Sequence, residues 1–132
     1  MAGLSDFAEV KLLNCLFNQT NWTAPSAIFL SLHTADPGDT GASELPSTGA
    51  YARVDVSASF PTASGSSGVL SNDAQINFPT ATADWTTVTH WGLYDASSAG
   101  NFLCGGALTA SRTITNGTQA QVAVGDLVVT AT

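Results

Sequence analysis

Charge is what this sequence has least of. Of its 132 residues only 10% are Asp, Glu, Lys or Arg, against roughly a quarter in an ordinary soluble domain. Three of these, Lys11, Arg53 and Arg112, are basic, against ten acids, and the formal charge is −7. Neutralising phosphates takes clustered Lys and Arg, so no nucleic-acid partner is expected. The acids are scattered from Asp6 to Asp126 rather than gathered into a tail, and read as solubilising. Cysteine is nearly absent. Cys15 and Cys104 lie far apart and form no CxxC or other ligand spacing, which argues against a disulfide framework. No apolar run approaches the length of a membrane span and no charged-then-apolar leader is recognisable, so neither membrane insertion nor secretion is expected, and the chain is read as released into the cytoplasm.

What is present is small and uncharged. With 44% hydrophobic residues the chain is long enough to bury the core of one domain, residues 1–132, and its surface must be mostly Ser, Thr, Ala, Gly and Asn. Such a surface repels close neighbours weakly, which suits a chain packed among other chains. One amphipathic helix is predicted over about 5–18: Phe7, Val10, Leu13, Leu16 and Phe17 recur at helical spacing. Ser5 is its N-cap, and Asp6 and Glu9 lie in the first turn, where carboxylates favour the helix dipole. Its apolar stripe is expected to pack on the body through Phe7, Val10, Leu13 and Phe17.

Beyond Asn21 the period shifts to two and the residues become β-branched, aromatic and small. Ala27 to His33 reads as a strand buried on both faces. From Tyr51 to Ser57, Ala52, Val54 and Val56 are assigned to the buried face, and Tyr51, Arg53, Asp55 and Ser57 to the wet one. Further strands are predicted around Ala74 to Phe78, Thr87 to Tyr94, Asn101 to Leu108, Gln119 to Val124 and Leu127 to Thr130. The Asn116-Gly117 step is a hairpin signal, since both residue types tolerate positive φ. The fold class is therefore mostly β, a compact β-sandwich or barrel of about seven short strands with one N-terminal amphipathic helix.

The connection over about 34–50 is longer than a sandwich turn requires, which marks it as functional or mobile. Pro37 and Pro46 stiffen it, and Gly38, Gly41 and Gly49 let it approach a surface closely. We expect it to order against another protein chain, with Asp36, Pro37, Asp39, Glu44, Leu45 and Pro46 as contact residues.

A search for chemistry finds little. His33 and His90 have no second ligand at zinc spacing. There is no GxSxG turn, and the carboxylates at Asp36, Asp39, Glu44, Asp84 and Asp95 sit at turns, where Asp belongs for backbone reasons. No phosphate-binding glycine motif is present. Trp22, Trp85, Trp91, Tyr51 and Tyr94 could line a sugar platform, but core packing is the commoner role of such residues. No catalytic residue, metal or cofactor is assigned, and the chain is not expected to be an enzyme.

Several strings, taken together and in order, carry a resemblance. They are Phe29-Leu30-Ser31-Leu32-His33-Thr34-Ala35-Asp36-Pro37-Gly38-Asp39, Gly49-Ala50-Tyr51-Ala52-Arg53-Val54, Ile76 to Trp85, Val88 to Asp95 and Gly105-Gly106-Ala107-Leu108. In these the chain resembles small structural proteins of tailed bacteriophages, labelled tail-fibre-like or minor virion proteins, with similar small β proteins serving as head decoration or cement. The resemblance implies a virion component assembled in the bacterial cytoplasm and carries over no catalytic residue. Because the chain has neither repeats nor long extended segments of a fibre shaft, a capsid decoration or cement protein is the first expectation. Its partners would be the major capsid protein and neighbouring copies of itself, in a homo-oligomer or symmetric array, and binding only the assembled shell would stabilise it by mass action. A tail or tail-fibre component involved in host adsorption is the alternative.

With no secretory context, Cys15 and Cys104 are expected to be unlinked. Thiol titration of the denatured, unreduced protein should recover both.

Overall fold

A computed structural model describes residues 3–65 and 67–131. Short β1 (Gly3–Leu4) leads into α1 (Asp6–Phe17), followed by β2 (Phe29–His33), β3 (Val54–Asp55), β4 (Val69–Ser71), β5 (Ile76–Thr80), β6 (Thr86–Tyr94), β7 (Phe102–Ile114), β8 (Gln119–Val122) and β9 (Val128–Thr130). The fold is mostly β, as the sequence predicts, with nine strands where about seven were expected. The additional ones, β1 and β4, are too short for alternation to reveal. Among the described residues the sheets do not close into a barrel. An antiparallel five-stranded sheet runs β1-β7-β6-β2-β3, and two ribbons, β4-β9 and β5-β8, pack beside it.

β6 sits in the middle of the large sheet, paired with β2 from His33↔His90 to Phe29↔Tyr94 and with β7 on its other side. Trp91, Gly92, Leu93 and Tyr94 are buried in succession, which means that both faces of β6 are covered there. The core gathers Leu30, Leu32, Val56, Phe78, Val88 and Leu127, and Tyr51 packs edge-on against Trp85 at 5.4 Å between ring centroids. In β5 the register with β8 shifts between Asn77 and Thr80, the interval that contains Pro79, which has no N–H to give a ladder.

Two expectations of facing are corrected. Helix α1 has the predicted boundaries and cap: Ser5 accepts at Oγ from the Ala8 N–H and donates its hydroxyl to the Phe102 carbonyl at 2.6 Å, while its own N–H reaches the Leu103 carbonyl. These bonds pin the start of α1 to β7. Ala8 is then the one buried helix residue. The stripe predicted to be core faces outward, with Val10 56%, Leu13 54%, Leu16 61% and Phe17 74% exposed. Periodicity reports that one face is apolar, and the anchoring at Ser5 decides which way that face turns.

At the start of the 51–57 stretch the predicted faces are displaced, while Val54 and Val56 face inward and Asp55 and Ser57 outward as expected. Tyr51 is buried and Ala52 exposed, the Arg53 side chain is 8% exposed, and only Val54–Asp55 forms strand. The backbone turns through left-handed conformations at Gly49 and Ala50 just before, which resets the alternation. Gly49 is required there, because a Cβ would lie 3.1 Å from the side chains of both Ala83 and Trp85.

The Asn116-Gly117 turn forms, with the Thr118 N–H on the Thr115 carbonyl, yet it does not make a hairpin. β7 continues the large sheet and β8 pairs with β5 instead. Replacing Leu30, fully buried, with alanine should cost about 2–5 kcal/mol. The Leu13→Ala change should stay within about 0.5 kcal/mol. Urea unfolding of the two variants checks the corrected orientation of α1.

Candidate functional site

The long connection after β2 folds back on its own body. Thr34 donates its N–H to the Ser43 carbonyl and Leu45 donates to the Leu32 carbonyl, so the return limb lies along β2 with a bridge between His33 and Glu44. Gly41 and Ala42 both donate to the Pro37 carbonyl, and the Tyr94 hydroxyl donates to the Gly41 carbonyl at 2.9 Å. Of the six nominated contact residues, Pro37 and Leu45 are buried, Glu44 is half-buried and ion-paired, and only Asp36, Asp39 and Pro46 are open to solvent. The chain's own bonds hold the loop, so the argument that a second chain must order it is corrected. Loop length gave no sign that return pairing along β2 was available.

Arg53 is the hub of this region. Its Nε and Nη2 donate to the two carboxylate oxygens of Glu44 at 2.8 and 2.7 Å, and its Nη1 donates to the carbonyls of Ala96 and Ala99. The guanidinium lies 3.5 Å above the Tyr94 ring. Glu44 also accepts from the Tyr51 hydroxyl, which in turn accepts from the Leu32 N–H. Burial alone would raise the Glu44 carboxyl, but the hydrogen bonds and charge of Arg53 outweigh it and hold the carboxyl below its ordinary range. Burial raises the Tyr51 hydroxyl, and the neighbouring Glu44 charge adds to that. None of these partners was legible from spacing. The scarcity of cations was the available signal, since a buried arginine must find an acid.

Beside this hub His33 is fully buried, its Nδ1 2.7 Å from the Ala42 carbonyl and its Nε2 2.8 Å from the Ser31 hydroxyl. A carbonyl only accepts, so Nδ1 carries a proton. Gly92 permits the contact, because a Cβ there would come within 2.8 Å of Nε2. Desolvation lowers the His33 pKa, against the opposing Ala42 hydrogen bond and the Glu44 charge. Ser31 and His33 lack two requirements of a nucleophilic pair: both are 0% exposed, and a carbonyl stands where an orienting carboxylate is needed. The fold does bring His33 and His90 opposite one another across β2 and β6. Among the described residues no group of three His, Cys, Asp or Glu side chains is placed to hold a metal.

The aromatic residues Tyr51, Trp85, Trp91 and Tyr94 lie inside, and Trp22 is half-buried against Phe7. Burial also pushes the Cys104 thiol up to about 12, while Cys15 is exposed on α1. Of the seven large hydrophobic residues exposed among the described residues, four lie on the outer face of α1. Val10, Leu13 and Phe17 follow the three-then-four spacing of a helical seam with Leu16 beside them, Asp6 and Glu9 border the seam's start, and no basic residue occupies the last turn.

Residues 3–130 fit the family model described as podophage GP4 fiber I protein gp80. No curated protein matches the chain.

The buried charges set an acid limit on stability. The unfolded histidine protonates near 6.5 and folded His33 only at lower pH, so its contribution is full above 6.5 and lost as pH falls below it. Glu44, lowered from 4.5 when folded, contributes above that value and is lost as pH falls through its folded pKa. Thermal midpoints should thus decline on acidification from about pH 7 in two stages, and His33→Gln should flatten the first. Arg53→Ala, which strands Glu44, should cost roughly 2 kcal/mol or more at neutral pH.

Proposed function

The chain belongs to the podophage GP4 fiber I protein gp80 family and is a virion structural protein; from that premise we propose that it is a non-enzymatic component of the tail-fibre apparatus, attached through the outer face of α1. The observation that carries the attachment surface is the apolar seam itself. Single exposed apolar residues need no explanation, but four contiguous ones along one short helix mark an interaction site.

The chemistry of the partner follows from the charge. The seam is bordered by Asp6 and Glu9 on a chain of net charge −7. A second copy would bring like charge against like charge, whereas an apolar strip edged with Lys or Arg is complementary. The partner is accordingly another virion protein of that character, and copies of this chain repeat with the partner's symmetry. The body behind the helix suits such a part: its loops are held by internal bonds, so docking orders little and costs little entropy.

A capsid-decorating role, with the major capsid protein as partner, is the rival reading and differs in place. Immunogold labelling of purified particles should mark the tail, and label on the head would overturn the tail-fibre reading in favour of decoration. The double variant Leu13→Glu, Phe17→Glu should keep its thermal midpoint, since both positions are exposed, and should be missing from purified particles. Full incorporation of that variant would refute the attachment face.

A further inference from the structure

His33 sits where its hydrogen bonds can be satisfied in two ways. Its Nδ1–H goes to the Ala42 carbonyl in the long loop, so in the neutral ring Nε2 is bare and must accept. The donor is the Ser31 hydroxyl, 2.8 Å away, and the same hydroxyl lies 3.1 Å from the carbonyl of Gly92, opposite Ser31 on β6. A hydroxyl donates one proton and can accept as well. With the ring neutral, that proton points at Nε2. With the ring charged, Nε2–H points at the hydroxyl oxygen and the hydroxyl proton swings to the Gly92 carbonyl. Each of these atoms keeps a partner in both states, and no heavy atom has to move. The Ala42 bond gains on charging, because an ionised donor makes the stronger bond.

The charges facing His33 nearly balance. Burial disfavours its imidazolium, and Glu44, opposite it on the return limb, favours it, while Arg53 and His90, the latter opposite on β6, oppose it. The Tyr94 ring lies parallel to it, 6.4 Å away between centroids. Glu44 has no such second arrangement. Its oxygens take Arg53 Nε, Arg53 Nη2 and the Tyr51 hydroxyl, all of them donors. A protonated carboxyl would bring one more proton into that ring of donors. It would also leave the Arg53 side chain, 8% exposed, without a counter-charge. Glu44 stands on the return limb between the Thr34-to-Ser43 and Leu45-to-Leu32 backbone bonds, so what dislodges it strains both.

We propose that residues 34–45 form an acid-operated latch: the closed loop holds His33 in either charge state by rotation of the Ser31 hydroxyl, and opens when Glu44 takes a proton. Burial alone would raise the Glu44 carboxyl, but Arg53 holds it low, so the latch opens only below the ordinary carboxylate range. Opening uncovers the rings of Tyr94 and Phe102, on which Gly41 is now pressed so closely that a Cβ there would meet both. The latch does not depend on attachment through α1.

The test follows amide hydrogen exchange and the His33 ring signals of the intact isotope-labelled protein as the pH is lowered, with exchange corrected for its intrinsic pH dependence. The Thr34, Gly41, Ala42 and Leu45 amides report the latch, and those of β6 report the body. While His33 titrates, the latch amides should keep their protection, and as Glu44 titrates they should loosen ahead of β6. Glu44→Gln, which removes the charge and keeps the shape, should speed the latch amides by about tenfold or more at neutral pH and change β6 much less. Ser31→Ala should move the His33 titration to lower pH, since the bond it deletes is stronger in the charged state. Latch amides that loosen in step with His33, or only together with β6, would overturn the latch. So would a Glu44→Gln loop that stays protected, or a His33 midpoint that Ser31→Ala leaves in place.

Discussion

Three segments of this chain converge on the Arg53 guanidinium. The return limb of the long loop supplies Glu44, the turn after β6 supplies the carbonyls of Ala96 and Ala99, and β6 itself supplies the face of Tyr94. Removing a charge from water is costly, and the arrangement offsets that cost with a two-pronged carboxylate contact and two further bonds to backbone carbonyls, four guanidinium hydrogen bonds in all. Lysine could not replace it, having neither the planar fork nor the flat face for stacking. The ion pair adds to the backbone bonds that register the loop on β2, and its carboxylate also accepts from the inward-turned Tyr51 hydroxyl.

Elsewhere, too, the interior holds polar groups, each of them satisfied. Ser31, His33, Asn72 and Ser5 are buried, and every buried side-chain polar atom among the described residues has a hydrogen-bond partner. Such networks rigidify a small β body because each bond is stronger in a low-dielectric interior and each loss leaves an orphan. The long loop after β2 contributes Pro37 and Leu45 to the buried interior, although loops carry function in many β folds.

Under the proposed reading, attachment falls to the outer face of a regular element. The apolar seam of α1 is a surface that a solitary soluble protein would be expected to cover. A virion structural protein passes its working life against neighbours, and the family to which residues 3–130 belong is one of fibre components. The weakly charged surface fits that setting, since uncharged contacts need little desolvation of ions.

Period and composition alone determined a good deal of this protein. The 3.6-residue recurrence of apolar residues placed α1, with its Ser5 cap, and the two-residue recurrence located seven of the nine strands and the mostly β class. Those signals are local, because side-chain direction along a helix or strand is fixed by backbone geometry. Only the tertiary structure decided which way α1 turned its apolar face, whether Tyr51 or Ala52 went inside, and whether the Asn116-Gly117 turn closed a hairpin. Each of those outcomes hangs on partners distant in sequence: Ser5 with Phe102, Arg53 with Glu44 and Ala99, β8 with β5. No periodicity encodes such pairings, and a face known to be apolar does not say whether its own chain or a neighbour will cover it.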